Sequence, residues 1–286
     1  MNEEQLKKDL FSKEQDKVFE TLFYFENNPE HIGVVKDEII KKLEIENNIF
    51  IIIKILETVR KSADKEIIFD IFNILKESSD EYIRATLLRV LTVEKRAEYI
   101  NYIVKCLKDS DHRVRANAVE TLESMGLKNT IPEIAYLLKD SSPRVKISAA
   151  KALYSFGDKR MLKVFEKLSS GSDVFVNESV IHTLWQINDN KTFELLVNIF
   201  RTTKNERLII KLMEVFSNIG TKEIIPEIRK LTVSFNKKIA ENATICLNNI
   251  LENQTKKKYC EVCKKEFPES QNFCGLCGRE LNSISQ

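Results

Sequence analysis

Seven glycines and five prolines in 286 residues leave this chain few places to break a helix. The composition is that of an ordinary soluble helical protein, not a disordered one. The glycines never fall at the spacing that cradles a phosphate. Only three histidines occur, His31, His112 and His182, each in a different stretch, with no second histidine four residues on and no carboxylate dyad close in sequence. Catalysis is poorly provided for, and the chain is expected not to be an enzyme. The longest apolar run, from Ile49 to Leu56, is interrupted by Lys54 and is far short of the ~20 residues that cross a bilayer. No membrane span is expected. The start, Met1-Asn2-Glu3-Glu4-Gln5, is polar and acidic where a secretory signal carries a basic segment and an apolar core. The expected location is the cytoplasm.

What the chain does have is a period. Steps of 31 residues from Ile83 land on Val114, Val145 and Val176, and one extra residue leads to Leu208 and then Ile239. Eight residues beyond each stand Leu91, Leu122, Leu153, Leu184, Phe216 and Leu247, and halfway stand Leu87, Ala118, Ala149, Val180, Leu212 and Ala243. Apolar residues at i, i+4 and i+8 make one helix stripe. A fixed period of this size means stacked units, none of which can bury its apolar face alone. Gly126, Gly157 and Gly220, with Asn188 at the same place, end one helix of each unit, and Pro132 and Pro226 open the next. Ile51, Ile55, Leu56 and Val59 continue the stripe one residue off register, and Val18, Leu22 and Phe23 are read as its start.

The turn aspartates and the helix residues after them carry a resemblance. Asp109 with Val114-Arg115, Ala116, Ala118 and Leu122, and Asp140 with Val145-Lys146, Ala149-Ala150 and Leu153, look like HEAT repeats. Thr130 to Leu138 resembles the opening helix of the short HEAT subtype of phycobilisome-lyase-like proteins. The resemblance covers residues 46 to 251 and implies an all-α fold, an α-solenoid of helix pairs whose second helices line a concave face. Ser78 and Ser234 replace the turn aspartate and Ala240 the basic residue, so a continuous aspartate–basic ladder is in doubt. The expected organisation is an N-terminal helical cap over residues 1–45, the repeat array over 46–254 and a separate tail over 255–286. Deoxyhypusine hydroxylases share the architecture but use repeated His-Glu pairs; here Ile32, Arg113 and Thr183 follow the histidines.

Cys260-x2-Cys263 and Cys274-x2-Cys277 dominate the tail, and their surroundings repeat, Tyr259 to Phe267 matching Phe273 to Leu281. Two such knuckles supply the four thiolates that zinc prefers in a closed structural site. The segment resembles a small zinc ribbon holding one Zn2+, with Lys264 where the first knuckle would have the glycine seen at Gly278. Disulfides are disfavoured in a reducing cytosol. A redox switch is the sharper alternative, and catalytic zinc would need an open coordination position that four thiolates do not leave. Cys106 and Cys246 sit on apolar helix faces and are expected in the core; Trp185 is expected to pack.

Counting from the stripe residue, positions two and six turn away from the core and position three flanks them. Position three gives Thr86, Asn117, Ser148 and Ser179, and position six gives Arg89, Glu120, Lys151, His182 and Glu214. Charges of alternating sign do not suit a phosphate backbone, which needs same-sign contacts along its track; they suit a protein or peptide partner, and a plain solvated face remains the bland alternative. The six basic and four acidic side chains of residues 255–286 account for the whole net charge of +2. A non-enzymatic interaction scaffold is the expected function, with the tail as a second contact module. Nucleic-acid binding through the zinc ribbon and Lys256–Lys258 is the alternative, and a tetrapyrrole lyase, suggested only by repeat subtype, the third.

Overall fold

Short polar side chains start many of the helices. Asn48, Asp64, Asp80, Asp111, Asp173 and Asp189 each accept from backbone amides at the first turn of the helix they precede, taking up donors that have no partner inside a helix. The computed structural model describes residues 3–219, 222–255, 257–260, 262, 265–268 and 282–283. The chain divides into two compact units, Met1–Met161 and Leu162–Gln286. The 31-residue period runs through this division in phase, from Val145 to Val176.

The first unit contains α1 (Glu3–Leu10), α2 (Gln15–Asn27), α3 (Lys36–Ile45), α4 (Ile49–Ser62), α5 (Lys65–Leu75), α6 (Glu81–Val90), α7 (Ala97–Cys106), α8 (His112–Ser124), α9 (Ile131–Tyr136) and α10 (Pro143–Ser155). Even-numbered helices stack in series, α4 on α2, α6 on α4, α8 on α6 and α10 on α8. The stripe is their common core, with Ile83, Leu87, Leu91, Val114, Ala118, Leu122, Val145, Ala149 and Leu153 buried. Each large aliphatic side chain so enclosed contributes about 1.5–3 kcal/mol. Upstream, Val18 and Leu22 join the core but Phe23 does not; it is exposed and Phe25 is buried in its place.

The second unit contains α11 (Met161–Ser169), shared at its first residue with the division, then α12 (Val174–Ile187), α13 (Asn190–Thr202), α14 (Glu206–Ile219), α15 (Ile225–Leu231) and α16 (Lys237–Thr255). Here α14 packs on α12 and α16 on α14. Phe216 meets Phe193 and Phe200 edge to face, at 5.8 and 5.4 Å between ring centroids. Val176 and Leu247 of the expected stripe are only half-buried. Leu247 lies on the last helix of the array, and Cys246 and Ile250 turn inward beside it. Gly126, Gly157 and Asn188 have φ of 66°, 113° and 48°, the left-handed conformation that closes a helix; Gly220 lies outside the described residues. Pro132 and Pro226 stand in the first turns of α9 and α15.

A ladder of ion pairs joins successive turns of the first unit. Arg84 donates Nε and Nη2 to the Asp109 carboxylate at 2.8 and 2.9 Å, and Arg115 does the same to Asp140 at 2.7 and 2.8 Å. Each Nη1 also donates to two carbonyls of its own preceding loop, Ser78 and Ser79 for Arg84, Asp109 and Ser110 for Arg115. Asp109 and Asp140 in turn accept the amides of Asp111 and Ser142. One arginine thus fixes two consecutive loops.

In the tail, β1 (Lys257–Cys260) pairs antiparallel with β2 (Lys265–Pro268) and with β3 (Asn282–Ser283), giving the order β2-β1-β3. Cys260 faces Lys265 across the β1–β2 hairpin.

Candidate functional site

The exposed side of the even-numbered helices carries the residues singled out by helix geometry, though not all of them face solvent. In the first unit Arg89 and Glu120 are exposed and Lys151 is half-exposed, 3.5 Å from Glu123. Among the described residues the Arg89 guanidinium makes no ion pair. Asn117 and Ser148 are 7% and 6% exposed and serve packing. Asn117 donates Nδ2 to the Ala85 carbonyl at 2.8 Å and accepts from Arg144 at 3.1 Å; Ser148 donates to Glu120 at 2.8 Å. Thr121 beside them donates to the Leu88 carbonyl. Position three is where consecutive even helices approach each other, so a polar side chain there is enclosed and has to bond.

In the second unit Ser179, His182 and Glu214 are exposed. Ser179 donates to the Phe175 carbonyl one turn back. His182 shares a hydrogen bond of 3.0 Å with Gln186 and lies 5.5 Å from the half-buried Trp185 ring. Glu214 pairs with Lys211 at 2.8 Å.

The residue immediately before each stripe position was not singled out by the sequence, yet it forms the most structured part of this face. Tyr82 is 51% exposed and the Arg113 guanidinium lies over its ring at 3.9 Å. Arg113 is held there by Asp111 at 2.9 Å and Glu81 at 3.1 Å. The second unit repeats the device, with Phe175 68% exposed and Arg207 over its ring at 4.8 Å, held by Glu178. Tyr82 and Arg89, seven residues apart, share one side of α6, as Phe175 and His182 share one side of α12. The same count of 31 that finds Val114 and Val176 also finds Arg113 and Phe175, one residue earlier.

On the other side of the first unit a cleft of about 1270 Å3 opens between α7 and α9, bounded by Tyr102, Cys106, Pro132 and Tyr136 and by both rungs of the ladder. Burial pushes the Cys106 thiol up to about 11, which keeps it protonated and inert at neutral pH. Cys106 and Cys246 are both core residues. Of the proposed zinc ligands, Cys260 ends β1, while Cys263, Cys274 and Cys277 lie outside the described residues. Among the described residues no three histidine, cysteine or acidic side chains come together as a metal site, and no helix is long and apolar enough to cross a membrane.

The loop carboxylates are held ionised. Hydrogen bonds from the Arg113 side chain, opposed by partial burial, bring Asp111 down to about 2, helped by the Arg113 and Val114 amides. The Arg115 guanidinium likewise lowers Asp140. In the unfolded chain both titrate near the ordinary value of about 3.9. A folded value below the unfolded one adds stability that is complete above about pH 4 and is lost as pH falls toward about 2. Helicity followed in urea should therefore show a midpoint that is flat near neutrality and drops between about pH 4 and 2; Arg115→Met should flatten that drop.

Residues 70–135 and 131–215, just over half of the chain, match the family described as HEAT repeats. The structure is similar to a chain of the complex of CpcE and CpcF of phycocyanin lyase from Nostoc sp. PCC7120, at 15% identity over 87% of this chain and 95% of that one, with a TM-score of 0.55. It is also similar to YibA of Escherichia coli, at 17% identity over 88% of this chain and 93% of that one, with a TM-score of 0.50. At these identities the likeness is one of fold. No curated protein matches the sequence.

Proposed function

Because the chain belongs to the HEAT-repeat family, we propose that it is a non-enzymatic scaffold whose even-numbered helices bind a protein or peptide, with a zinc-bearing tail as a second contact module. The observation that carries this reading is the recurrence, in both units, of an exposed aromatic ring stacked under an arginine of the next repeat. Tyrosine and arginine are enriched among the side chains that dominate interface energies. A ring already held in place loses little freedom on binding. The exposed Arg89 on the same side of α6 adds a charge with which to orient a partner. We place the protein in the cytoplasm.

For the tail, the proposal is one structural zinc ion held by Cys260, Cys263, Cys274 and Cys277. The β1–β2 hairpin supports it: Cys260 is the last residue of β1, β2 resumes at Lys265, and the first Cys-x2-Cys therefore spans the hairpin connection. A bound zinc would supply the cross-link that a segment this short cannot replace with apolar burial.

The test is capture of partners by tagged full-length protein after nuclease treatment. A Tyr82→Ala/Arg89→Glu variant should recover the principal protein partner with about 10-fold lower yield or worse, since one hot-spot side chain is worth roughly 2 kcal/mol. A Lys105→Glu variant, altered on the α7 side, should recover it fully. Equal recovery by all three proteins would refute the assigned face, and loss of every partner to nuclease would favour nucleic acid instead.

A further inference from the structure

The Arg–Asp rung of the first unit has no counterpart at the corresponding place in the second. Asn177 stands where Arg84 and Arg115 stand, one residue after the stripe position. Thr203 stands where Asp109 and Asp140 stand: its Oγ1 accepts the Asn205 amide at 3.2 Å, just as the two carboxylates accept the amides of Asp111 and Ser142 at 2.9 and 2.8 Å. Both replacements shorten the side chain, and a pocket of about 510 Å3 is left between α11, α13 and the loop before α12.

Asn177 lines this pocket and is 5% exposed. Its Nδ2 donates to the Gly171 carbonyl at 3.0 Å, six residues back, the same relation by which Arg115 reaches Asp109. Its Oδ1 is enclosed and has no hydrogen-bond partner among the described residues. A buried acceptor left unmatched carries a desolvation cost, which a turn of the Asn177 side chain toward a donor in the pocket would remove. The hydroxyls around it have already spent their hydrogens: Ser169, Ser170 and Thr202 donate to the carbonyls of Glu166, Lys167 and Asn198. What these hydroxyls have left to offer is acceptor capacity. Glu166 adds a carboxylate, and Lys204 is the one cation among the lining residues. The wall is thus rich in acceptors and asks for a ligand with several donors.

We propose that this pocket binds the guanidinium group of an arginine side chain on a partner peptide, which takes the place that Arg84 and Arg115 fill in the first unit. A planar fork of five donors matches a wall of separated acceptors, and within this chain the same group already occupies the corresponding space twice. The inference goes beyond the even-helix face and does not need it, because Asn177 lies roughly 200° around α12 from Phe175.

The experiment is titration of full-length, 15N-labelled protein with N-acetyl-L-arginine amide, read at the backbone amides of Gly171, Asn177 and Thr203. Saturable shifts at these positions are expected, with N-acetyl-L-citrulline amide, the neutral isostere, binding about 10-fold more weakly. Glu166→Gln should weaken arginine-amide binding several-fold without changing the unfolding temperature. Asn177→Arg/Thr203→Asp, which rebuilds the rung, should raise the unfolding temperature and abolish the saturable shifts. Shifts that do not saturate would overturn the proposal by leaving the pocket to water, and equal shifts with N-acetyl-L-lysine amide or the citrulline probe would overturn it by removing the preference for a guanidinium. Preference for free L-arginine over the blocked amide would overturn the peptide assignment. Unchanged binding by Glu166→Gln would do the same for the charged ligand.

Discussion

Asp140→Ala is expected to destabilise the first unit by about 3–5 kcal/mol, a loss visible as an early transition in thermal or urea unfolding. The Asp140 side chain is 7% exposed and that of Arg115 13%. Removing the carboxylate strands a guanidinium in a place where water reaches it poorly, with only the Asp109 and Ser110 carbonyls left to it. The Ser142 amide loses its acceptor at the same time. Removing both charges is a different matter. Arg115→Met/Asp140→Leu leaves no orphaned ion and should cost well under the single change, because desolvating two charges offsets most of what their pairing returns. If Asp140→Ala and the double replacement were equally damaging, the rung would matter for its shape and not for its charge.

Loss of zinc is expected to have the larger local effect. Cys263→Ser/Cys277→Ser should reduce bound zinc from about one equivalent to none and remove the amide protection of β1 and β2, while leaving the helical signal of α1 to α16 unchanged. Binding free energies of structural zinc in small domains are on the order of 10–16 kcal/mol, and for so short a segment that energy is folding energy. A chelator should give the same result on wild-type protein and be reversed by added zinc. The measurement is metal content by atomic emission beside hydrogen exchange of the tail. Persistent protection of Tyr259 and Phe267 in the metal-free protein would mean that the hairpin holds without the ion.

Counting residues reached most of the stack. The stripe of α6, α8 and α10, the left-handed closures at Gly126, Gly157 and Asn188, and the core placement of Cys106 and Cys246 all follow from periodicity and local propensity. Asn117 and Ser148 show where such counting stops. A helical wheel treats one helix in isolation, whereas burial at position three depends on how near the next even helix comes. In α8 and α10 the alanines at 116, 118, 149 and 152 allow close approach, and the polar residue is enclosed; in α12 the equivalent Ser179 remains outside. The stacked Tyr82–Arg113 pair was hidden for a related reason, since it joins neighbouring helices and has no signature within either. The division at Met161 has none at all, because the period passes through it unbroken. In the tail the cysteine spacing is legible in the sequence, and of the four cysteines only Cys260, the last residue of β1, falls among the described residues.

The ladder also bears on how an array like this changes length. Arg115 and the aspartate that receives it are 25 residues apart, less than the 31-residue period, so a tandem copy of residues 115–145 would carry its own donor and its own acceptor. Lengthening by one such module inserts a complete rung and leaves every existing pair intact. An insertion of any other size between Arg115 and Asp140 would part the two, so duplication in whole periods is the route that lengthens the array and keeps the ladder wherever the copy falls.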